Sequence, residues 1–452
     1  MDGSLALRRL GAARMAALLV AALLCACSAK GTTSTGEAVV TVDQTRRFQT
    51  IRGWEATSNL KELDGKTSRQ NLQELLRNAV DKAGITRVRL EVRSGVEGLP
   101  GGFEQFVRTG SYKTWRERRY LVMNDNDDPR VINWARFDFA EMDHEVETAV
   151  LPMRELLAAR GEKLFVNVCY VSFVKARAND HEDPEEYAEF ALATMLHLRD
   201  KYGLEPDSWE VILEPDNAGR WSGRRIGQTI VATSRRFAEN GIRVGFVAPS
   251  TTSMAAAPRY FDDMLRVDGA LPHLSELSYH RYRGVNSRAL AMLTKRSARY
   301  HVPIAMTELW FGLAGPDVLF EDLEAGAAAF QNRVVGGLVV NALKGDMTLN
   351  RDARYNGALF RAVRPGAVRI GSESSLDELK ALAFKRPEGG IVTALRATAA
   401  TAVTVRGLPA GNYVVSTVTE SGETDRIPAV RAANGDLRVA IGEPAVVVIE
   451  PR

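Results

Sequence analysis

An eight-stranded parallel (β/α)8 barrel followed by a C-terminal all-β sandwich is the fold class this sequence predicts. Three observations lead there. Between about residues 50 and 365, eight short apolar runs alternate with helical patterns, the signature of a parallel sheet closed by its crossovers. Several helical stretches stop at a glycine (Gly84, Gly203, Gly241, Gly345), the residue that most readily takes the left-handed turn ending a helix. From Ala367 onward the texture changes to short β-rich runs punctuated by Gly, Pro and Asn.

The elements follow in order. Arg8, Arg9 and Arg14 precede the apolar run Met15 to Cys27, which is short for a membrane span and fits the core of an export signal. The run ends Leu24-Cys-Ala-Cys-Ser28, and a small residue directly before Cys27 resembles a bacterial lipobox. Residues 1–27 are therefore expected to be a lipoprotein signal peptide and Cys27 the lipidated first residue of the mature chain. Residues 28–37 would form a flexible tether. The expected location is the bacterial cell envelope, exported and lipid-anchored, on the periplasmic side or the cell surface; an ordinary cleaved signal is the alternative. Beyond Cys25 and Cys27 the chain has only Cys169, inside the apolar run Leu164 to Tyr170. A packed strand thiol is expected there rather than a nucleophile.

Ala38 to Phe48 reads as a strand that adds to the C-terminal sandwich. The barrel is expected over residues 49–365, with runs at Thr50 to Trp54, Arg87 to Val92, Leu164 to Tyr170, Trp209 to Glu214, Arg243 to Ala248, Glu276 to His280, Pro303 to Glu308 and Asp346 to Leu349. Helices are expected between them, among them Asn71 to Lys82, Pro184 to Tyr202, Ile226 to Asn240 and Asp322 to Lys344. The second and third runs are far apart, and the insertion between them carries Trp115, Tyr120, Trp134, Phe137 and Phe139, either a sugar-stacking wall or a small core of its own. The sandwich takes residues 366–452.

Composition narrows the function. The chain has 59 basic and 56 acidic residues, net +3, with no long run of like charge, which argues against nucleic acid as a partner. Six histidines and no His-Glu-x-x-His helix give no metal signature, and no Gly-rich phosphate loop stands out, so neither metal nor cofactor is expected. Pro249 to Ser253 follows the fifth run and offers hydroxyls without a nucleophile-elbow motif. Two runs end in a carboxylate: Trp209-Glu-Val-Ile-Leu-Glu214 and Val302-Pro-Ile-Ala-Met-Thr-Glu308. In a parallel barrel the C-terminal strand ends carry the chemistry. Glu214 and Glu308, from the fourth and seventh runs, are candidates for the paired carboxylates that break a glycosidic bond. Trp54, Trp221 and Trp310 are candidates to stack on sugar faces, though any one could instead be core, and Tyr170 and Asn217 are further candidates for substrate contact.

These segments carry a resemblance to the clan A retaining glycoside hydrolases, most of all to family 30. Leu213-Glu-Pro-Asp-Asn217 resembles the acid/base segment and Thr307-Glu-Leu-Trp310 the nucleophile segment. Ile51-Arg-Gly-Trp54 resembles the family's first strand. Arg89 matches the arginine that supports the nucleophile, and Ser278-Tyr-His-Arg-Tyr282 the sixth-strand segment that offers His280 and Tyr282. Phe360-Arg-Ala-Val-Arg-Pro-Gly-Ala-Val-Arg-Ile370 is similar to the junction with the sandwich. The resemblance implies double displacement on a poly- or oligosaccharide, with Glu308 the nucleophile kept ionised by Arg89; a monomer is expected. Glu214 would be the acid/base with a raised pKa. A transglycosylase, or a non-catalytic carbohydrate-binding lipoprotein on the same barrel, is the alternative. One position departs: the clan has Asn before the acid/base, where it bonds the sugar 2-hydroxyl, and here Leu213 stands. Asn217 or another group substitutes, the substrate lacks that hydroxyl, or activity is reduced or lost.

Overall fold

The computed structural model describes residues 37–60, 68–173, 179–310, 312–423, 427–432 and 436–452. The expected signal peptide, its lipidated Cys27 and the tether up to residue 36 lie outside the described residues. β1 (Ala38–Thr50) leads into eight parallel strands: β2 (Gly53–Thr57), β3 (Arg87–Arg93), β4 (Phe165–Val171), β5 (Ser208–Glu210), β6 (Gly245–Ser253), β7 (Leu274–Arg283), β8 (Ile304–Glu308) and β9 (Ala327–Val334). They close into a barrel in chain order, β9 pairing back onto β2. Gly53 opens β2 with φ of 137°, and a Cβ there would come within 2.8 Å of the Arg87 side chain, so only glycine fits.

The closing strand differs from the sequence expectation. Asp346–Leu349, expected as the eighth barrel strand, instead forms β11 of a two-stranded hairpin with β10 (Val339–Asn341). The barrel is closed by Ala327–Val334, which lies inside the expected helix Asp322 to Lys344. The alanines Ala327, Ala328 and Ala329 favour helix intrinsically, but as small residues buried between β8 and β2 they let the last strand seat. Tertiary packing overrides local propensity there.

Strand alternation decides which side chains see the barrel lumen. On β3, Val88, Leu90 and Val92 join the core under the outer helices, while Arg87, Arg89, Glu91 and Arg93 point inward. Parallel pairing sets Arg89, Glu91 and Arg93 beside Asn167, Cys169 and Val171 of β4. Arg87 proves the direction: it reaches across to Glu276 on β7 with two hydrogen bonds of 2.6 and 3.0 Å, and to Glu55 on β2 at 3.2 Å. The lumen is thus crossed by ion pairs, where many barrels are filled with apolar layers.

β12 (Val368–Ser374), β13 (Leu379–Lys385), β14 (Ile391–Ala397), β15 (Thr401–Arg406), β16 (Gly411–Thr419), β17 (Ile427–Ala432), β18 (Asp436–Ile441) and β19 (Ala445–Pro451) follow the barrel. With β1 they make one nine-stranded sheet, ordered β17-β16-β19-β14-β13-β12-β1-β15-β18 and mostly antiparallel. Its two ends fold toward each other over one core: Val40, Val405 and Leu437 from one side meet Leu395, Val447 and Tyr413 from the other. That is the sandwich. The alternate residues Phe384, Val392, Val446 and Val448 pack into the barrel's outer core, so the central strands are buried on both faces and read as unbroken apolar runs.

Burial alone would push the Glu276 carboxyl up, but Arg87 and Arg52 outweigh it and hold it below its ordinary value. Such a lowered group stabilises the fold above its unfolded pKa, and that contribution fades as pH falls. Arg87→Leu, which leaves buried Glu55 without an arginine and Glu276 with Arg52 alone, is therefore expected to cost about 3–5 kcal/mol at pH 7, and less at pH 4 where Glu276 is more readily protonated. Chemical denaturation of both proteins at the two pH values measures it.

Candidate active site

Glu308 is the last residue of β8, and Glu214 lies four residues beyond the regular part of β5. Regular pairing of β5 stops at Glu210, short of the expected run. The chain keeps its course through single bonds: Val211 N–H to Val247 O (3.1 Å), Leu213 N–H to Tyr170 O (2.9 Å) and Glu214 N–H to Ser250 O (3.1 Å). Glu214 itself sits at φ 52°, left-handed for a residue with a side chain, and Ser250 opposite it at φ 51°. Such a conformation costs about 1–3 kcal/mol and persists only where neighbours enforce it. Asp216 helps, its carboxylate accepting the N–H groups of Thr252 (2.7 Å) and Ser253 (3.0 Å) and tying the turn to β6. The Ser250 and Ser278 hydroxyls bond each other at 2.7 Å.

Glu308 is 5 % exposed and held from two sides. Arg89 of β3 crosses the lumen to its Oε2 and also bonds Glu91 Oε1 at 2.9 Å. Tyr282 of β7 donates its hydroxyl to Oε1 at 2.9 Å and accepts the Trp310 N–H at 3.1 Å. Burial would lower the Arg89 pKa, but Glu308 and Glu91 outweigh it and raise it well above its ordinary value, so the guanidinium stays charged. Burial, then the Glu308 charge, pushes the Tyr282 phenol up, so it remains a donor.

Glu214 is 8 % exposed and has a different partner. His280 Nδ1 lies 3.2 Å from its Oε1, and Asn217 Nδ2 donates to Oε2 at 3.1 Å. The raised pKa expected for Glu214 is not found. Burial pushes it up, but the hydrogen bond and positive charge of His280, with Asn217 and Thr252, bring it below its ordinary value. His280 moves the opposite way: burial lowers it, and Glu214 and Glu308 more than compensate. Of the two groups, His280 is therefore the one that more readily holds a proton. Each of Glu214, His280 and Glu308 brings one carboxylate oxygen or ring nitrogen within 4.8 Å of the others, the only such trio among the described residues. Arg89, Tyr282 and Asn217 already donate to these carboxylates, and the Arg89 charge opposes a dication. The Arg89 Nε and His280 Nε2 atoms are buried without protein partners.

Of the other candidates, Arg89, Asn217, His280, Tyr282 and Trp310 come together here. Trp310 is half-buried, with Arg89 5.8 Å from its ring centre and its Nε1 donating to Gln331 Oε1 at 2.9 Å. Trp54, Tyr170 and Trp221 do not. Trp54 alternates with lumen-facing Glu55, so it points outward, stacks on Phe360 at 4.3 Å and donates Nε1–H to Val363 O at 2.6 Å. Tyr170 alternates with Cys169 for the same reason; it is fully buried and bonds His181 Nδ1 at 2.9 Å. Trp221 is core, 5.6 Å from Tyr187 and 6.2 Å from Tyr170. The insertion's aromatics mostly pack on one another. Trp115 stacks on Phe106 at 4.7 Å, and Phe139 stacks on His197 at 4.1 Å and on Phe137 at 5.8 Å, while Trp134 is 48 % exposed.

Sequence reading missed Glu91, Glu141 and Gln331. Glu91 joins Arg89 to Arg93, and Arg93 and Arg119 share Glu141 at 3.4 and 2.6 Å. The signal was present in Arg87-Val-Arg-Leu-Glu-Val-Arg93, where charges recur at every second position of a strand. Gln331, which bonds Glu55 at 2.9 Å, lay in the segment read as helix.

The fold is that of the clan A glycoside hydrolase barrels and is family 30-like, a parallel barrel carrying a β-sandwich. The solved structures it resembles include the catalytic domain of the family 30 xylanase C from Talaromyces cellulolyticus (TM-score 0.67, 14% identity, covering 92% of this chain and 100% of that one). A family 30 endoxylanase from Clostridium papyrosolvens is similar (0.66, 16%, 92% and 100%), as is an endo-β1,6-glucanase (0.61, 14%, 91% and 94%). At these identities the likeness is one of fold. No protein-family model and no curated relative matches the sequence.

NMR titration of the imidazoles tests the shared proton. His280 is expected to titrate above its ordinary 6.5. Glu214→Gln removes its largest raising partner and should lower that midpoint.

Proposed function

We propose that this protein is a retaining glycoside hydrolase acting on a poly- or oligosaccharide by double displacement. The single observation that carries the reading is the pairing of Glu214 with Glu308 at the C-terminal mouth of the barrel, with oxygens within 4.8 Å. That spacing supports direct attack by one carboxylate, since retaining pairs stand about 5–5.5 Å apart and inverting pairs leave room for a water between them.

Glu308, oriented by Arg89 and Tyr282, attacks the anomeric carbon and forms a glycosyl-enzyme. The leaving oxygen takes a proton from Glu214. His280 supplies it: its imidazolium is favoured partly by the Glu308 charge, which disappears as the covalent bond forms. The proton then passes from Nδ1 to Glu214 Oε1 as the leaving group needs it. In the second step Glu214 takes a proton from water, which attacks the anomeric carbon and frees Glu308. A sugar acceptor in place of that water would make the same site a transglycosylase. The protein would work as a monomer, exported and held at the cell envelope through a lipid on Cys27.

A panel of glycans and 4-nitrophenyl glycosides, assayed with wild type, Glu308→Gln and Glu214→Gln, tests this. Glu308→Gln should lose more than about a thousandfold in kcat/KM on every substrate, the scale seen on removing a nucleophile. Glu214→Gln should lose far less on 4-nitrophenyl glycosides, whose leaving group needs no proton, than on natural linkages. Full activity of Glu308→Gln contradicts the assignment, and glycan binding without cleavage by wild type makes the protein a binding module.

A further inference from the structure

Gln331 is fully buried on β9, opposite Glu55 in the register with β2. Its side chain is fixed at both ends. Oε1 accepts the Trp310 Nε1–H at 2.9 Å, and Nε2 donates to Glu55 Oε1 at 2.9 Å. An indole nitrogen can only donate, so the amide oxygen must face Trp310 and the amide nitrogen must face Glu55. Glu55 also accepts from Arg87 Nε at 3.2 Å, and a guanidinium can only donate. The chain Arg87–Glu55–Gln331–Trp310 therefore has one self-consistent direction, and it ends on the indole.

Trp310 in turn touches both groups that hold Glu308. Its backbone N–H donates to the Tyr282 hydroxyl at 3.1 Å, and that hydroxyl donates to Glu308 Oε1 at 2.9 Å. Its ring lies over the Arg89 guanidinium, which is 5.8 Å from the ring centre and pairs with Glu308 Oε2. Trp310 stands beyond Glu308, the last residue of β8, so strand pairing does not hold it. The Gln331 amide ties its ring to a strand that is held.

We infer that Gln331 is a positioning residue for the reaction at Glu308, acting through Trp310: its amide oxygen holds the indole against Arg89 and so keeps Arg89 and Tyr282 in place around the nucleophile. The inference rests on the glycosidase reading above and needs no contact between Gln331 and substrate. Without that oxygen the indole N–H loses its acceptor, and the half-buried ring regains one by turning toward water. A small displacement of groups that orient a nucleophile is costly, up to about a hundredfold in rate for about 1 Å.

The test uses the glycoside that wild type cleaves best in the panel above. Gln331→Met, similar in length but without donor or acceptor, should lose about ten- to a hundredfold in kcat/KM. Trp310→Phe should lose a similar amount, and adding Gln331→Met to it should cost less than about threefold more, because residues that act as one unit are not additive. The Trp310 indole proton, assigned by its loss from the NMR spectrum of Trp310→Phe, should move in Gln331→Met. Gln331→Glu separates positioning from packing and serves if Gln331→Met fails to fold. A protonated carboxyl repeats the amide, its O–H donating to Glu55 and its carbonyl oxygen accepting from Trp310, whereas two adjacent ionised carboxylates repel. The kcat/KM of Gln331→Glu relative to wild type should therefore rise as pH falls, and that of Gln331→Met should not. Full activity of Gln331→Met, an unmoved indole proton, or a loss undiminished in the Trp310→Phe background overturns the inference, and Glu308-dependent cleavage then leaves the glycosidase reading standing. Cleavage of no glycoside by wild type overturns both.

Discussion

The ion pair between Arg89 and Glu308, drawn across the lumen from β3 to β8, is the constraint around which the rest of the barrel is arranged. A guanidinium at the centre of a protein is expensive to desolvate and must be met by carboxylates. β3 carries three inward arginines, so the barrel strands must supply Glu55, Glu276, Glu91 and Glu308, and the insertion Glu141, to meet them. Each acid in turn fixes the strand or insertion that carries it. The chain of contacts runs from Arg119 in the insertion through Glu141, Arg93, Glu91 and Arg89 to Glu308. The long segment after β3 is thereby tied to the same charge network that orients the proposed nucleophile.

The two carboxylates are set apart by their partners rather than by their burial, which is similar. Glu308 faces a permanent cation and a phenol that does not ionise. Glu214 faces an imidazole, the one partner whose charge can change near neutral pH. This asymmetry suits one group to stay a carboxylate and the other to pass a proton. The left-handed backbone at Glu214 belongs to the same arrangement, because it turns the side chain away from the path of β5 toward His280.

Much of the fold was legible because parallel barrels announce themselves by alternation, and the inward charges of Arg87, Arg89, Glu91 and Arg93 appear in the sequence at strand period. What was not legible came from two physical sources. The Ala327–Val334 strand is written in helix-forming alanines, and only its burial between β8 and β2 makes it a strand. Trp54 and Tyr170 were drawn to the site by chemical type, yet each stands one position from a lumen-facing neighbour, and one position on a strand is the opposite face. The contact between them was hidden too: sequence brings Glu214 and His280 to strand ends but not to 3.2 Å.

The central claim is that Glu308 becomes covalently bonded to the sugar. The direct measurement is peptide mapping by mass spectrometry after reaction with 2-deoxy-2-fluoro glycosyl fluorides, which form the glycosyl-enzyme and release it slowly. Double displacement at this site predicts one adduct, on the peptide containing Glu308 and absent in Glu308→Gln. An adduct on a different residue, or turnover of the fluoride with no adduct and an inverted product, would contradict it.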